Sequence, residues 1–257
     1  LTVKTRTTLA AYHSYNYLLA RENLTDHLSL NEKKDKIRQR LWKIRAKKVI
    51  IATGAMERPL IFNNNDRPGI ILSSSIKKYI DYYGVKCGQK ISLFTNNDSA
   101  YETAISLNNN GVTVNSIIDI RDKSNSSIVK QAEELGIKIH WKHTVVNTNG
   151  YKRINSIELM KLSDDGTSVV ENKLKEECDC LGISGGWTPR VHLFTQSGGK
   201  LKFRDKDNVF LPDKSTSEQI SIGSCNGDFE LDDVIKNSNK LINKFLNISS
   251  SDYENLE

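Results

Sequence analysis

The residues best placed to do chemistry lie at the ends of short strands. The run Val49-Ile50-Ile51-Ala52-Thr53-Gly54-Ala55-Met56-Glu57-Arg58-Pro59 reads as a β-branched strand ending in Ala52-Thr53-Gly54, followed by a sharp turn. Gly54 gives the backbone positive φ, or close approach to another group, at a strand's C-terminal end, where open α/β sheets bind ligands. A tight exit turn and a ligand contact are compatible there. A second candidate is the β-α-β pattern over 90–118. Aligned on Glu102 and Ala104, a dinucleotide fingerprint puts its three glycine positions on Thr95, Asn97 and Ala100. Ala100 suits the third position, which needs only close helix–strand packing. Asn97 does not suit the second, where a side chain obstructs the backbone's approach to a pyrophosphate. Asp119 follows at about the spacing of a ribose-binding acid. A Rossmann-like scaffold with its pocket filled is favoured over a second nucleotide site.

Other constellations carry less. His140 and His143 stand three apart, which on one continuous strand puts them on opposite faces and prevents shared chelation. Cys178 and Cys180 would share a strand face, but two thiols without a further ligand pair are more readily buried small hydrophobes than a zinc site. No Gly-x-Gly occurs in the 257 residues, so the usual phosphate-cradling loop lies outside them. No Ser/His/Asp set or converging carboxylate pair nominates a catalytic acid, base or nucleophile.

Composition narrows the function classes. The net charge of +6 comes with basic residues that alternate with apolar ones between Lys33 and Lys48. That spacing is of solvated β-ribbon edges, without the aromatic-rich basic module of a nucleic-acid binder. No stretch approaches the roughly 20 apolar residues of a membrane span, and no signal-peptide core opens the chain. Four scattered cysteines form no disulfide framework, which points to a reducing, cytoplasmic compartment.

Three segments position these residues. Residues 1–62 alternate as a β-ribbon, with strands expected over 2–7, 12–19 and 38–46, and feed the buried strand at 49–52. Residues 63–175 hold the turn Asp66-Arg67-Pro68-Gly69, a helix from Ser73–Ser75 to Gly84, strand 90–95, helix 99–109, strand 112–118, helix 126–135 and strand 137–141. A hairpin over 155–162 and 169–175 follows. Residues 176–257 return to the first domain, with short strands at 178–184 and 219–222 and a closing helix over 231–246.

Several stretches, in order and covering nearly the whole chain, resemble the alpha subunits of heterotetrameric sarcosine oxidases, within the two-dinucleotide-domain flavoproteins of the pyridine-nucleotide-disulfide-oxidoreductase type. They are Arg45-Ala46-Lys47-Lys48-Val49 through Arg58-Pro59-Leu60, Asn65-Asp66-Arg67-Pro68-Gly69, and Phe94-Thr95-Asn96-Asn97-Asp98-Ser99-Ala100-Tyr101. Further along come Ser184-Gly185-Gly186-Trp187-Thr188-Pro189, Val191-His192-Leu193-Phe194 and Gln196-Ser197-Gly198-Gly199-Lys200. The Phe-Thr-Asn-Asn-Asp-Ser-Ala-Tyr and Ser-Gly-Gly-Trp segments are the most specific.

The resemblance implies an α/β fold: an FAD/NAD(P)-binding Rossmann-like two-domain core with β-ribbon additions, lacking its first nucleotide-binding strand. The segments become the C-terminal part of a first dinucleotide domain (1–62), a second Rossmann-like domain with a degenerate fingerprint (63–175), and a return to the first (176–257). It also implies an oxidoreductase subunit that holds NAD and works with beta, gamma and delta-type subunits, with FAD and FMN in the complex. That complex converts the small amine sarcosine to glycine, yielding hydrogen peroxide and formaldehyde or, with tetrahydrofolate, its methylene derivative. By matching position, Ala52, Thr53, Gly54, Gly223 and Ser224 contact the dinucleotide, mostly through backbone. Ser224 stands where related flavoproteins place an Asp that holds a flavin ribityl hydroxyl, which weakens the case for FAD in this pocket. Two alternatives stay open: a subunit of another amine- or opine-oxidising FAD-dependent dehydrogenase, and a structural subunit with a vestigial nucleotide pocket. The chain alone is not expected to be active, since the upstream phosphate loop and the downstream folate domain are outside it.

Overall fold

The computed structural model describes residues 1–170 and 172–247. They divide into two compact units: Leu1–Met56 with the segment from Thr188 onward, and Glu57–Trp187. The chain starts with an antiparallel sheet of β1 (Thr7–His13), β2 (Tyr17–Asn23) and β3 (Gln39–Arg45), with the short helix α1 (Leu30–Lys33) between β2 and β3. The strand expected over 12–19 is split by a turn in which Tyr15 and Asn16 both adopt positive φ, a geometry that suits the twist of a hairpin. Asn16 tolerates that conformation and puts it to use. Its buried amide accepts from Tyr12 Oη (2.7 Å) and donates to the carbonyls of Lys47 (3.1 Å) and Glu218 (3.0 Å). Every residue of β3 except Trp42 is exposed, as the alternating basic pattern anticipates. Then come β4 (Val49–Ile51) and β5 (Ala55–Glu57), the latter crossing into the second unit.

The second unit contains β6 (Ile70–Leu72), α2 (Ser73–Tyr83), β7 (Ile91–Thr95), α3 (Ser99–Asn109), β8 (Val114–Asp119), α4 (Ser127–Glu134) and β9 (Ile139–Trp141). It continues with β10 (His143–Gly150), β11 (Ile154–Lys161), β12 (Leu174–Glu177) and β13 (Cys180–Ser184). Five strands form a parallel sheet in the order β6-β13-β7-β8-β9, and β10-β11-β12 form an antiparallel one. Period-two alternation divides the side chains of the parallel sheet between two cores. Ile91, Leu93 and Ile117 pack with Ile76, Tyr101, Leu107 and Val129 of the helices. Phe94, Ile118, Leu181 and Ile183 pack with Val145, Ile157 and Leu159 of the antiparallel sheet.

Three expectations are revised here. β13, expected in a segment returning to the first domain from residue 176, instead lies in the middle of this sheet, hydrogen-bonded in parallel to both β6 and β7. Its five residues are all buried, as a central parallel strand requires. The hairpin expected over 155–162 and 169–175 is a three-stranded sheet. β11 pairs with β10 and with Leu174–Glu177, while Val169 makes only an isolated bridge to Leu162. β10 escapes sequence reading because two register shifts break its alternation. Cys178 and Cys180 do not share a face: Cys178 precedes the strand and joins the core under the antiparallel sheet, while Cys180 joins the helical core.

The chain returns through β14 (Trp187–Pro189) to α5 (His192–Gln196), the hairpin β15 (Lys200–Arg204) and β16 (Val209–Lys214), β17 (Gln219–Ser221) and α6 (Leu231–Leu246). β17 pairs in parallel with β4, with Gln219 opposite Val49 and Ser221 opposite Ile51. Tyr12, Leu18, Ile51, Phe194 and Cys225 form the core of this unit. Among the described residues no helix is long and apolar enough to cross a membrane.

Candidate functional site

Adjacent parallel strands leave their carboxyl ends side by side, and β4 and β17 do so with glycines. Ala52-Thr53-Gly54 leaves β4, and Ile222-Gly223-Ser224 leaves β17 into a single 3-10 turn, Gly223–Asn226. The five residues expected to act together therefore lie at the same end of one strand pair. Ile222 N donates to Ile51 O (2.9 Å), and Cys225 Sγ reaches the same carbonyl at 3.3 Å. Gly54 has φ +70° and Gly223 φ +68°, conformations that cost an L-residue side chain roughly 1–2 kcal/mol. A Cβ on Gly54 would meet no atom within 4 Å, so the strand exit faces open space. Thr53 Oγ1 donates to Arg190 O (2.7 Å) and Arg190 N to Gly54 O (3.0 Å), which fixes the turn. Thr53's hydroxyl proton is spent on that tie, leaving its oxygen as an acceptor. Ala52 is exposed, and Ser224 is half-buried. Backbone thus lines this strand end, and no Gly-x-Gly loop accompanies it.

The second unit has a comparable strand end, and its residues fill it. Asn97 donates through Nδ2 to Ser184 O and Ser184 Oγ (both 3.1 Å) and accepts at Oδ1 from Ser99 N (3.0 Å) and Ser99 Oγ (2.5 Å). Thr95 Oγ1 accepts from Asn97 N (3.0 Å) and donates to Asn97 O (2.9 Å). Trp187 Nε1 donates to Ser99 Oγ at 3.2 Å. Side-chain hydrogen bonds thus tie together the carboxyl ends of β7 and β13, and Asn97, at the second fingerprint position, is committed to Ser184 and Ser99. Asp119, at the ribose-binding spacing, is 0% exposed and fully engaged. It accepts from Tyr101 Oη (2.8 Å), Arg121 N (2.9 Å), Arg121 Nε (3.0 and 3.2 Å) and Arg121 Nη2 (2.7 Å). Arg121 also pairs with Asp98 at 2.8 Å. Burial of the Tyr101 phenol, reinforced by the neighbouring Asp119 carboxylate, pushes its pKa well above the usual value and keeps it a donor.

A polar cluster that the sequence does not announce lies where β12 meets the parallel sheet. Glu176 accepts from Asn115 Nδ2 (2.9 Å), Ser92 Oγ (3.1 Å) and Ser116 Oγ, and is bonded to His140 Nε2 at 3.2 Å. Burial pushes the Glu176 carboxyl up, but the hydrogen bonds from His140, Ser116 and Ser92 outweigh it, holding its pKa below the ordinary range. The His140 and His143 rings lie 5.3 Å apart, closer than a continuous strand allows, because Lys142 takes φ +54° between β9 and β10. They nonetheless have separate partners, Glu176 for one and Trp141 O (2.6 Å) for the other. No group of three or more metal-ligating side chains occurs among the described residues. Burial pushes the Cys178 thiol up to about 11 and Cys180 up to about 12, so both behave as core residues, not nucleophiles.

Comparison with known proteins joins these features to a family. No protein-family profile matches the chain. Over 227 residues, 88% of its length, it is 35% identical to the sarcosine oxidase subunit alpha of Corynebacterium sp. (strain P-1), and it spans only 23% of that relative. Among solved structures, a Lactococcus lactis thioredoxin reductase matches 93% of this chain and 73% of its own with a TM-score of 0.61 at 17% identity. An FAD-dependent pyridine nucleotide-disulphide oxidoreductase from Desulfovibrio vulgaris matches 86% of this chain and 53% of its own with a TM-score of 0.53 at 13% identity. In sequence the chain is similar to sarcosine oxidase alpha subunits over 81–88% of its own length, and its fold is that of the thioredoxin reductase and the pyridine nucleotide-disulphide oxidoreductase it matches.

Proposed function

We propose that this segment supplies one wall of a single dinucleotide site, with NAD as the ligand, within a multisubunit sarcosine-oxidising flavoenzyme. The observation that carries the proposal is the pair of positive-φ glycines, Gly54 and Gly223, at the carboxyl ends of adjacent parallel strands, one facing open space. Backbone groups of 52–54 and 223–224 would contact the dinucleotide, and its phosphates would depend on a loop outside these residues. Ser224 offers a hydroxyl where a flavin site would use a carboxylate, which favours NAD over FAD in this pocket. The bound nucleotide would supply hydride-accepting chemistry, and this chain's part is to hold and orient it. In the whole enzyme, sarcosine would become glycine with hydrogen peroxide and formaldehyde, or methylene-tetrahydrofolate when folate is present. FAD, FMN and beta, gamma and delta-type partner subunits would complete the assembly.

The test is to purify the intact complex and identify the nucleotides released on denaturation. NAD in one-to-one ratio with the alpha-type subunit is expected; FAD and FMN without NAD would overturn the assignment. Gly54→Val tests the wall itself. Its side chain would point into the open space at the strand exit, lowering nucleotide content, whereas unchanged content would make the turn purely structural.

A further inference from the structure

The positive charge of the chain is concentrated at one end of it. Residues 1–48 hold twelve Lys and Arg against four Asp and Glu, a net of +8 in a chain of net +6, so the other 209 residues carry −2. The surplus lies on the β1-β2-β3 sheet and its flanking segments. Three of the four acids there are already engaged. Glu22 meets Lys4 (3.6 Å), Arg40 (3.7 Å) and Trp42 Nε1 (2.7 Å), Asp26 pairs with Arg38 (2.7 Å), and Glu32 closes the capping box of α1 with Ser29. Arg45 lies over the Tyr17 ring at 5.2 Å and donates to Tyr15 O (3.3 Å). Among the described residues, neither it nor Lys43 meets a carboxylate.

β3 is the open edge of that sheet. It pairs with β2 alone, over seven consecutive residues without a register shift. The other edge, β1, has a shift between Leu9 and Ala11, and its Tyr12 N donates to Gln196 Oε1 (3.1 Å). Leu24 N donates to Arg38 O (2.9 Å) and Ala46 N to Asn16 O (3.1 Å), which sets the phase of the ladder. Arg40, Trp42 and Ile44 therefore exchange bonds with β2, while Gln39, Leu41, Lys43 and Arg45 turn their N–H and C=O groups outward. All four are exposed. A regular, exposed edge is a template for one more strand. The side chains decide which strand. Lys43 and Arg45 share one face with Gln39 and Leu41, and Trp42 and Ile44 share the other with Arg40. A second copy of β3 would set these three cations beside three more, and like charges across strands are destabilising. Carboxylates opposite Lys43 and Arg45, alternating with apolar residues beside Trp42 and Ile44, complement the edge on both faces. We propose that β3 is a docking edge for an extended segment of another polypeptide, alternately acidic and apolar, which adds a fourth strand to the sheet. The site is independent of the dinucleotide reading, because it uses neither 52–54 nor 223–224.

The probe is a fluorescein-labelled peptide of alternating Glu and Val, titrated into the full-length protein at low salt and followed by anisotropy. Saturable binding is expected, with slowed hydrogen exchange over 39–45 and affinity that falls as salt rises. Leu41→Pro deletes one outward N–H and spares the bonds to β2, a position where an edge strand accepts proline. It should abolish binding and leave the melting temperature largely unchanged. Lys43→Glu combined with Arg45→Glu should weaken the Glu/Val peptide roughly tenfold and admit a Lys/Val counterpart, since each cross-strand charge pair shifts binding by about 1.5- to 5-fold. Oligothymidylate is the polyanion control and should bind more weakly than the peptide. No saturable binding, binding that survives Leu41→Pro, or protection outside 39–45 would overturn the proposal. Oligothymidylate that binds as tightly as the peptide would overturn it in favour of a nucleic-acid surface.

Discussion

The plug in the second unit can be tested through Arg121→Met. Asp119 is wholly buried and receives three close contacts from the Arg121 guanidinium, beside bonds from Tyr101 Oη (2.8 Å) and Arg121 N (2.9 Å). Removing one member of a buried ion pair costs about 3–5 kcal/mol. Two bonds to the carboxylate survive the substitution, and the Arg121 side chain is 31% exposed, so water can enter its place. Both reduce the loss, to about 2–3 kcal/mol. Asp119→Asn should cost less, about 1–2 kcal/mol, because Arg121 keeps Asp98 at 2.8 Å. The double variant should recover part of the sum, a coupling of about 1.5 kcal/mol in a double-mutant cycle. Urea titrations at neutral pH, with unchanged m-values, give each number. If Asp119 instead awaits a ribose, Arg121→Met should leave stability nearly intact and expose a nicotinamide-dinucleotide site. A loss under about 0.5 kcal/mol, or NADH binding that appears in Arg121→Met and vanishes in the double variant, would refute the plug.

Two further perturbations reach other ties. Asn16→Ala removes the acceptor of the buried Tyr12 phenol and the donor to two carbonyls, and places Ala in left-handed backbone; thermal or urea unfolding should show a loss of about 3 kcal/mol. Glu176→Gln tests the cluster at β12 through pH. The folded carboxyl is held below its ordinary value, so its contribution is present above the unfolded pKa of about 4.3 and is lost as pH falls through the folded pKa. Wild type should exceed the variant by about 1–2 kcal/mol at pH 7, with the gap narrowing as pH falls below the unfolded pKa; a gap that acidification leaves unchanged would assign the effect to packing.

Elements with strong local signals were legible in the sequence. Helix 99–109 and helix 231–246 appear at the expected residues, and Gly84 ends α2 in left-handed conformation. The β-α-β layer and the strand ends bearing Gly54 and Gly223 were equally readable, since a short β-branched run followed by glycine has few other meanings. What escaped depends on long-range pairing. The placement of β13 between β6 and β7 and the closure of Glu176 onto Ser92 and Ser116 join residues 60 to 111 positions apart, which no local period encodes, and β10 escaped through its register shifts. The rule that separates His140 from His143 failed for a different reason: it assumes an unbroken strand, and Lys142 breaks it. Cys178 and Cys180 failed likewise, because alternation holds only inside a strand and Cys178 lies outside one.

The two strand ends differ by one chemical detail each. After β4 the turn residue is Gly54, with no side chain and open space beyond it. After β7 the corresponding turn holds Asn97, whose amide bonds Ser184 and Ser99. An amide that satisfies a strand end internally removes the unpaired backbone and hydroxyl groups that a phosphate would otherwise engage, so the fold keeps its α/β geometry without its anion site. At Ser224 the proposed reading turns on a different exchange: a neutral hydroxyl stands where the resemblance implies an acid, so the proposed pocket would lack the charge a flavin ribityl chain would meet. On the proposed reading, Asn97 would close the second unit to dinucleotides and Ser224 would bias the first toward a dinucleotide held by backbone, each acting on its own strand end. That independence makes a sharp demand on Asn97→Gly. It should add nucleotide affinity in the second unit while leaving unchanged the nucleotide content proposed for the first, and a variant that instead lowers that content would show that the two strand ends are not separate sites.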